Sequence, residues 1–148
     1  MNYEEGFILK KILVATDASE YSRQALKTAL VLARKFQSEV ELLFVMYRPL
    51  VYDVNQIDMD LIAQDMFEES GEMAIKTTLE GIDITGVTLT TKILQGKPAN
   101  MILREIESEN IDLVVMGSHG YGAISGAILG SVSQRVLHGS KCSVLIAK

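Results

Sequence analysis

Gly117-Ser118-His119-Gly120 is followed, after nine intervening residues, by Gly130-Ser131-Val132-Ser133, and it sits directly behind the apolar run Ile111 to Met116. That order reads as strand, glycine loop, helix start. Glycines in such a loop permit positive φ and let a bulky anion approach the main chain, while a helix N-terminus presents unbonded N–H groups and a partial positive charge. The chemistry is that of holding phosphate. Glycines also simply make turns, and this spacing alone leaves the plainer reading open.

What the segment lacks is equally informative. There is no G-x-x-x-x-G-K-(S/T) pattern, and from Gly117 through Gln134 the sole basic side chain is His119. Phosphate charge must therefore be met by backbone donors, hydroxyls and a divalent ion such as Mg2+ or Mn2+, which commonly binds through the phosphates with few protein ligands. Without a poised lysine, arginine finger or base, phosphoryl transfer has little electrostatic support, so binding with slow or absent hydrolysis is expected. No residue is assigned as catalytic. His119 is expected to donate a hydrogen bond rather than act as acid or base, and His138 to stabilise a helix end.

The elements that must position this loop alternate between strand and helix. Lys10 to Ala15 is a short strand ending at Thr16-Asp17. Ser19 then caps a helix with Ala25, Leu26, Ala29, Leu30, Ala33 and Phe36 on its apolar face. Val40 to Val45 is the second strand, ended by Tyr47-Arg48-Pro49-Leu50, and a loop follows to about Asn55. Gln56 to Glu80 reads as a helix closed by Gly81, with Met59, Ile62, Ala63, Met66, Met73 and Ala74 inward. Its acidic face, Asp58, Asp65, Glu68, Glu69 and Glu72, reads as solvated surface rather than as metal ligands.

Val87 to Leu94 alternates like an edge strand, and Gly96-Lys97-Pro98 starts a helix burying Ala99, Ile102, Leu103 and Ile106, which ends near Asn110. After the strand Ile111 to Met116, Ser131 and Gln134 match a capping box, predicting a helix that buries Val132, Val136 and Leu137 and stops at Gly139. Ser143 to Ala147 is the fifth strand. Strands joined by helices, with connections too long for hairpins, predict a doubly wound α/β domain: a five-stranded parallel sheet with helices on both faces. Ligands in such sheets bind outside the carboxyl ends of the strands, where both Thr16-Asp17 and Gly117-Ser118 fall.

Composition narrows the function classes. The 148 residues, 48% hydrophobic and 22% charged, are read as one domain covering 1–148 with a single core. A net charge of −5 gives no basic footprint for nucleic acid. Cys142 is the sole cysteine, which excludes an internal disulfide and a cysteine-based zinc cluster, and it is expected to pack as a small hydrophobe. No apolar run approaches a membrane span and no signal peptide is apparent, so a soluble cytoplasmic protein is expected.

Taken together, Gly117-x-x-Gly120, nine residues, then Gly130-Ser131 resembles the G-2x-G-9x-G-(S/T) signature of the ATP-binding branch of the universal stress protein family. The opening Ile12 to Ser19 is similar to that family's first strand and turn, and Ser131 to Leu137 to its last helix. The resemblance spans essentially the whole chain. It implies a Rossmann-like sheet of order 3-2-1-4-5, a bound adenine nucleotide (ATP, ADP or AMP), a stress-response or signalling role, and a homodimer. It also implies site residues. Asp17 would take the ribose hydroxyls, which a carboxylate can accept, although Asp17 also suits a turn that caps the next helix. Ala15 and Thr16 would line the adenine side, with Val45 and Met116 near the base, although Val45 equally suits plain core. Gly117, Ser118, His119 and Gly120 would run beneath the ribose and first phosphates, and Gly130, Ser131, Val132 and Ser133 would offer N–H and hydroxyl donors to the outer ones.

Three functions remain open on the sequence: a nucleotide-binding sensor whose occupancy alters its dimer or partners, a slow ATP-hydrolysing enzyme, and a nucleotide-free dimerisation module. The enzyme reading is weakened because Thr16-Asp17-Ala18-Ser19 stands where ATP pyrophosphatases carry a serine-glycine-glycine loop. Val144, Leu145 and Ile146, in a short apolar strand at a sheet edge, are the expected homodimer contact.

Overall fold

A computed structural model of the chain describes residues 6–47, 57–120 and 128–148, with side chains from 66 onward in the second helix. The elements are β1 (Lys11–Thr16), α1 (Glu20–Phe36), β2 (Glu39–Met46), α2 (Ile57–Leu79), β3 (Leu89–Gln95), α3 (Pro98–Ser108), β4 (Leu113–Gly117), α4 (Ser131–Gly139) and β5 (Ser143–Ala147). The strands form one sheet in the order β3-β2-β1-β4-β5, and every neighbouring pair is parallel. The doubly wound α/β architecture is therefore as expected. Parallel neighbours need crossovers, and the helices supply them on both faces.

The alternation of side chains along each strand divides the core in two. Ile12, Val14, Leu42 and Val115 point to the face covered by α1 and α2, where they meet Ala25, Leu26, Ala29, Leu30 and Ile75. Leu13, Leu43, Val114 and Met116 point to the opposite face, against Ala99, Ile102 and Ile106 of α3 and Val136 of α4. β1 and β4 are apolar on both faces because both faces are covered. β3, at one edge, is the more exposed strand its alternating sequence predicts.

Local signals explain several boundaries. Ser19 caps α1, its hydroxyl accepting the Ser22 N–H at 3.3 Å. Pro98 opens α3, where its missing N–H costs no helix bond. Gly81, just past α2, takes φ +70, the left-handed conformation that a side chain disfavours.

Other expectations fail, each for a tertiary reason. Phe36 is 52% exposed and meets Phe7 edge to face instead of entering the core. Met66 and Met73 are exposed, because the stripe of α2 turned to the sheet runs through Gly71, Ala74, Ile75 and Thr78. Gly71 is required there, since a Cβ would stand 2.6 Å from Ile93 Cγ2. Leu137 is exposed while Ser133 and Val136 are the buried residues of α4. Ser131 is also not the cap of α4: Gly130 holds that position, with no side-chain cap bond, so the predicted capping box is not formed. The expected loop from Arg48 to Asn55, and the orientations of Asp58, Met59, Ile62, Ala63 and Asp65, lie outside the described residues or side chains. Among the described residues, no helix is long and apolar enough to cross a membrane.

Candidate nucleotide site

β1 lies between β2 and β4, so the chain leaves its carboxyl end toward one edge and returns from β3 to begin the other half beside it. That is the switch point at which α/β sheets leave a crevice. A cavity of about 380 Å³ opens there, on the α3 and α4 side. Its floor is Ala15, Leu43, Val45 and Met116 from three adjacent strands; Pro98, Ile102 and Val132 form a wall. Gly117, His119, Gly120, Leu129, Gly130, Ser131 and Ser133 close it on the other side, with Thr16, Asp17 and Ser22 at the end of β1. All the residues expected at a site are brought together here except Ser118.

Asp17 follows β1 in a tight turn. Its Oδ1 accepts the Ser19 N–H at 2.9 Å and lies 3.2 Å from the Ser22 hydroxyl, while Ala18 takes φ 66 to complete the turn. One carboxylate oxygen thus holds the start of α1. The other faces Gly120, so closely that a Cβ on residue 120 would collide with Oδ2. Turn residue and cavity ligand are therefore compatible roles for one side chain.

The glycines serve close packing rather than unusual dihedrals. Positive φ among the described glycines falls at Gly81, Gly86 and Gly96, and Gly130 has φ −67, so the described glycines of the motif do not use the left-handed freedom that glycine permits. A Cβ on Gly117 would stand 2.7 Å from the carbonyl carbon of Tyr21, because the end of β4 abuts the first turn of α1. At Gly130 a Cβ would meet His119 Cα at 3.4 Å and the Ser118 oxygen at 3.5 Å.

Hydrogen bonds sort the expected donors. The Gly130 N–H is taken by the Ser118 carbonyl at 2.7 Å, and the first bond within α4 runs from the Gln134 N–H to the Gly130 carbonyl. The N–H groups of Ser131, Val132 and Ser133 precede that bond and have no helical partner, so the positive end of α4 faces the cavity. The Ser133 hydroxyl donates to the Gly117 carbonyl at 2.8 Å, pinning α4 to the end of β4. Thr16 lines the cavity, but its hydroxyl lies on the opposite face of the sheet, 2.7 Å from Thr78 Oγ1 and 3.0 Å from Ser22 Oγ. Ser118 is buried behind the wall, its N–H bonded to the Ala147 carbonyl and its hydroxyl 3.0 Å from His119 Nδ1. The His119 ring also packs against Tyr21 at 5.5 Å.

Among the described residues the lining carries one carboxylate, Asp17, one histidine, and otherwise apolar or hydroxyl side chains. Arg135, the next basic residue along α4, lines a separate groove between α3 and α4 with His138. Among the described residues no cluster of three His, Cys, Asp or Glu side chains could hold a metal. Sequence reasoning missed Leu43, Pro98, Ile102, Leu129 and Ser22. Leu43 shares the face of Val45 two residues on, a signal present in the strand period. Pro98 and Ile102 become visible only once α3 is assigned to this face.

Comparison with known proteins agrees with this architecture. A family model described as the Universal stress protein family matches residues 9–148. Universal stress protein MJ0531 of Methanocaldococcus jannaschii is 34% identical over 142 residues, covering 95% of this chain and 83% of its own. The solved structure of hypothetical protein MJ0577 is 30% identical and superposes with a TM-score of 0.76, covering 95% of this chain and 96% of that one. A universal stress protein solved in complex with cAMP shares the fold at 23% identity and a TM-score of 0.61, covering 94% and 96% of the two chains.

Proposed function

The chain belongs to the universal stress protein family, and from that premise we propose that it is an adenine-nucleotide-binding sensor of the family's ATP-binding branch. The observation that carries this reading is the cavity at the carboxyl ends of β1, β2 and β4, where an apolar floor, one carboxylate and an unbonded helix N-terminus meet in a single space. Its volume lies in the range of roughly 300–1,000 Å³ usual for small-molecule pockets.

The division of labour follows from the lining. A purine suits the apolar end between Val45, Met116, Pro98 and Ile102. Asp17 accepts hydrogen bonds from ribose hydroxyls, and the N–H groups of Ser131, Val132 and Ser133 meet phosphate oxygens. Among the described residues, one helix terminus and one histidine balance little of a triphosphate's charge, so Mg2+ or Mn2+ accompanies the phosphates. A fold relative holding cAMP accords with an adenine ligand.

With no lysine or arginine among the described lining residues to stabilise a transferring phosphoryl group, the reading is binding with slow or absent hydrolysis. Occupancy acts through assembly: among the described residues β5 is bonded to β4 on one side only, and its other edge is offered to a second copy in a cytoplasmic homodimer. Isothermal titration of the purified protein with ATP and Mg2+ tests the reading. One saturable site per chain is expected, and absence of heat from protein shown to be folded and nucleotide-free contradicts it.

A further inference from the structure

Toward the amino end of the sheet, on the face that carries the cavity, the buried stripe of α3 is interrupted by an acid. Glu105 is only 4% exposed, among Ala99, Ile102 and Ile106. It faces Glu41 of β2, and it is ion-paired with Lys92 of β3. Lys92 Nζ also stands 3.5 Å from Glu109 Oε1, and Lys11 of β1 stands 3.9 Å from Glu109 Oε2. The nearest strand neighbours of Glu41, Leu13 and Thr90, are uncharged.

The charged groups acting on Glu41 are thus Glu105 and Glu109 against Lys92; Lys11, at the rim, meets Glu109 and stands in register with Glu39 of β2. Full ionisation leaves the carboxylates in excess of the ammonium around the buried Glu105. Glu41 Oε1 is buried without a hydrogen-bond partner, a costly place for a carboxylate. One proton lowers the excess charge and turns a carboxylate repulsion into a carboxyl–carboxylate hydrogen bond between Glu41 and Glu105. Burial, and then the neighbouring Glu105 carboxyl, push Glu41 up to about 7, with Lys92 opposing them.

We propose that Glu41 and Glu105 share one proton that seats α3 on the sheet, and that its release as pH rises through neutrality loosens this helix. The same helix brings Pro98 and Ile102 to the cavity wall. The direction follows from linkage. An unfolded glutamate titrates near about 4.3, so between there and about 7 the folded chain holds a proton that the unfolded chain has lost. Stability is therefore greatest at the acid end of that window, falls as pH rises through it, and levels off above it.

Thermal melts of the intact chain and of Glu41→Gln from about pH 5 to about pH 9 test the proposal. Glutamine keeps a donor toward Glu105 and cannot titrate. The wild-type Tm should fall by several degrees relative to the variant as pH rises, leaving Glu41→Gln the more stable protein at about pH 8. Contributions from every other titrating group are common to both proteins and cancel in the difference. Parallel profiles overturn the proposal. Carboxyl 13C NMR of the wild-type chain gives a readout that does not depend on the variant folding. A Glu41 midpoint near neutrality supports the shared proton, and one below about 5.5 overturns it.

Discussion

The carboxylate of Asp17 and the backbone of Gly120 are fitted to one another: a Cβ on residue 120 would collide with Oδ2, while Oδ1 accepts the Ser19 N–H at 2.9 Å. The end of β1 and the loop after β4 therefore meet at a carboxylate that needs a glycine opposite it. Gly120→Ala should displace the Asp17 side chain and lower ATP affinity by about tenfold or more. Asp17→Asn, which keeps the Oδ1 acceptor and the turn, should lower affinity similarly with Tm little changed. Calorimetry of both variants, with melts as a control for folding, checks the pair.

Gly130 discriminates by size rather than by dihedral. Its φ of −67 is open to any residue, and a Cβ would stand 3.4 Å from His119 Cα and 3.5 Å from the Ser118 oxygen. Alanine should therefore be nearly tolerated. Gly130→Val adds branches with no room beside residues 118–120 and should abolish ATP binding in a protein that still melts cooperatively. Equal affinity in the valine variant and the wild type would remove Gly130 from the site.

Ser133 has a structural task beside its place in the cavity. Its hydroxyl donates to the Gly117 carbonyl at 2.8 Å and is almost fully buried. Ser133→Ala leaves that carbonyl without the bond and should cost about 1–3 kcal/mol in urea denaturation. A change below about 0.5 kcal/mol would show that the hydroxyl does not hold α4 to β4.

β5 ends the sheet with one edge unpaired among the described residues. Leu145 is partly buried against the α1 side of the core, so a lysine there can lay its stem over the apolar surface and send its charge to the edge. Leu145→Lys should turn a dimer into a monomer by light scattering while far-UV circular dichroism is retained. An unchanged dimer would place the interface elsewhere.

How much of this was legible in the sequence depended on whether the determining interaction was local. The alternation of apolar strands and amphipathic helices, the Ser19 cap, the Pro98 start and the Gly81 stop are decided within a few residues, and all are present. The cavity lining was mostly legible because the loop and the ends of β1 and β4 are marked by unusual residue types in sequence. What was hidden is tertiary. Phe36, Met66, Met73 and Leu137 fit an apolar helix stripe, but which stripe meets the sheet is set by close approaches such as that of Gly71 to Ile93. Nothing local says that Ser118 is buried, that the Thr16 hydroxyl bonds to Thr78, or that the buried Glu105 is paired with Lys92 of the edge strand. The capping box at Ser131 and Gln134 had the right letters, but Gly130 takes the cap position instead, its N–H bonded to the Ser118 carbonyl.

The space between Asp17, Met116 and the start of α4 is proposed to hold an adenine nucleotide. Freshly purified protein should be denatured and any released small molecule separated by chromatography and identified by mass, with refolded, nucleotide-free protein then offered ATP and Mg2+. The expected result is release of ATP, ADP or AMP in near-stoichiometric amount, or saturable rebinding that Asp17→Asn weakens. Folded protein that releases no nucleotide and binds none would contradict it.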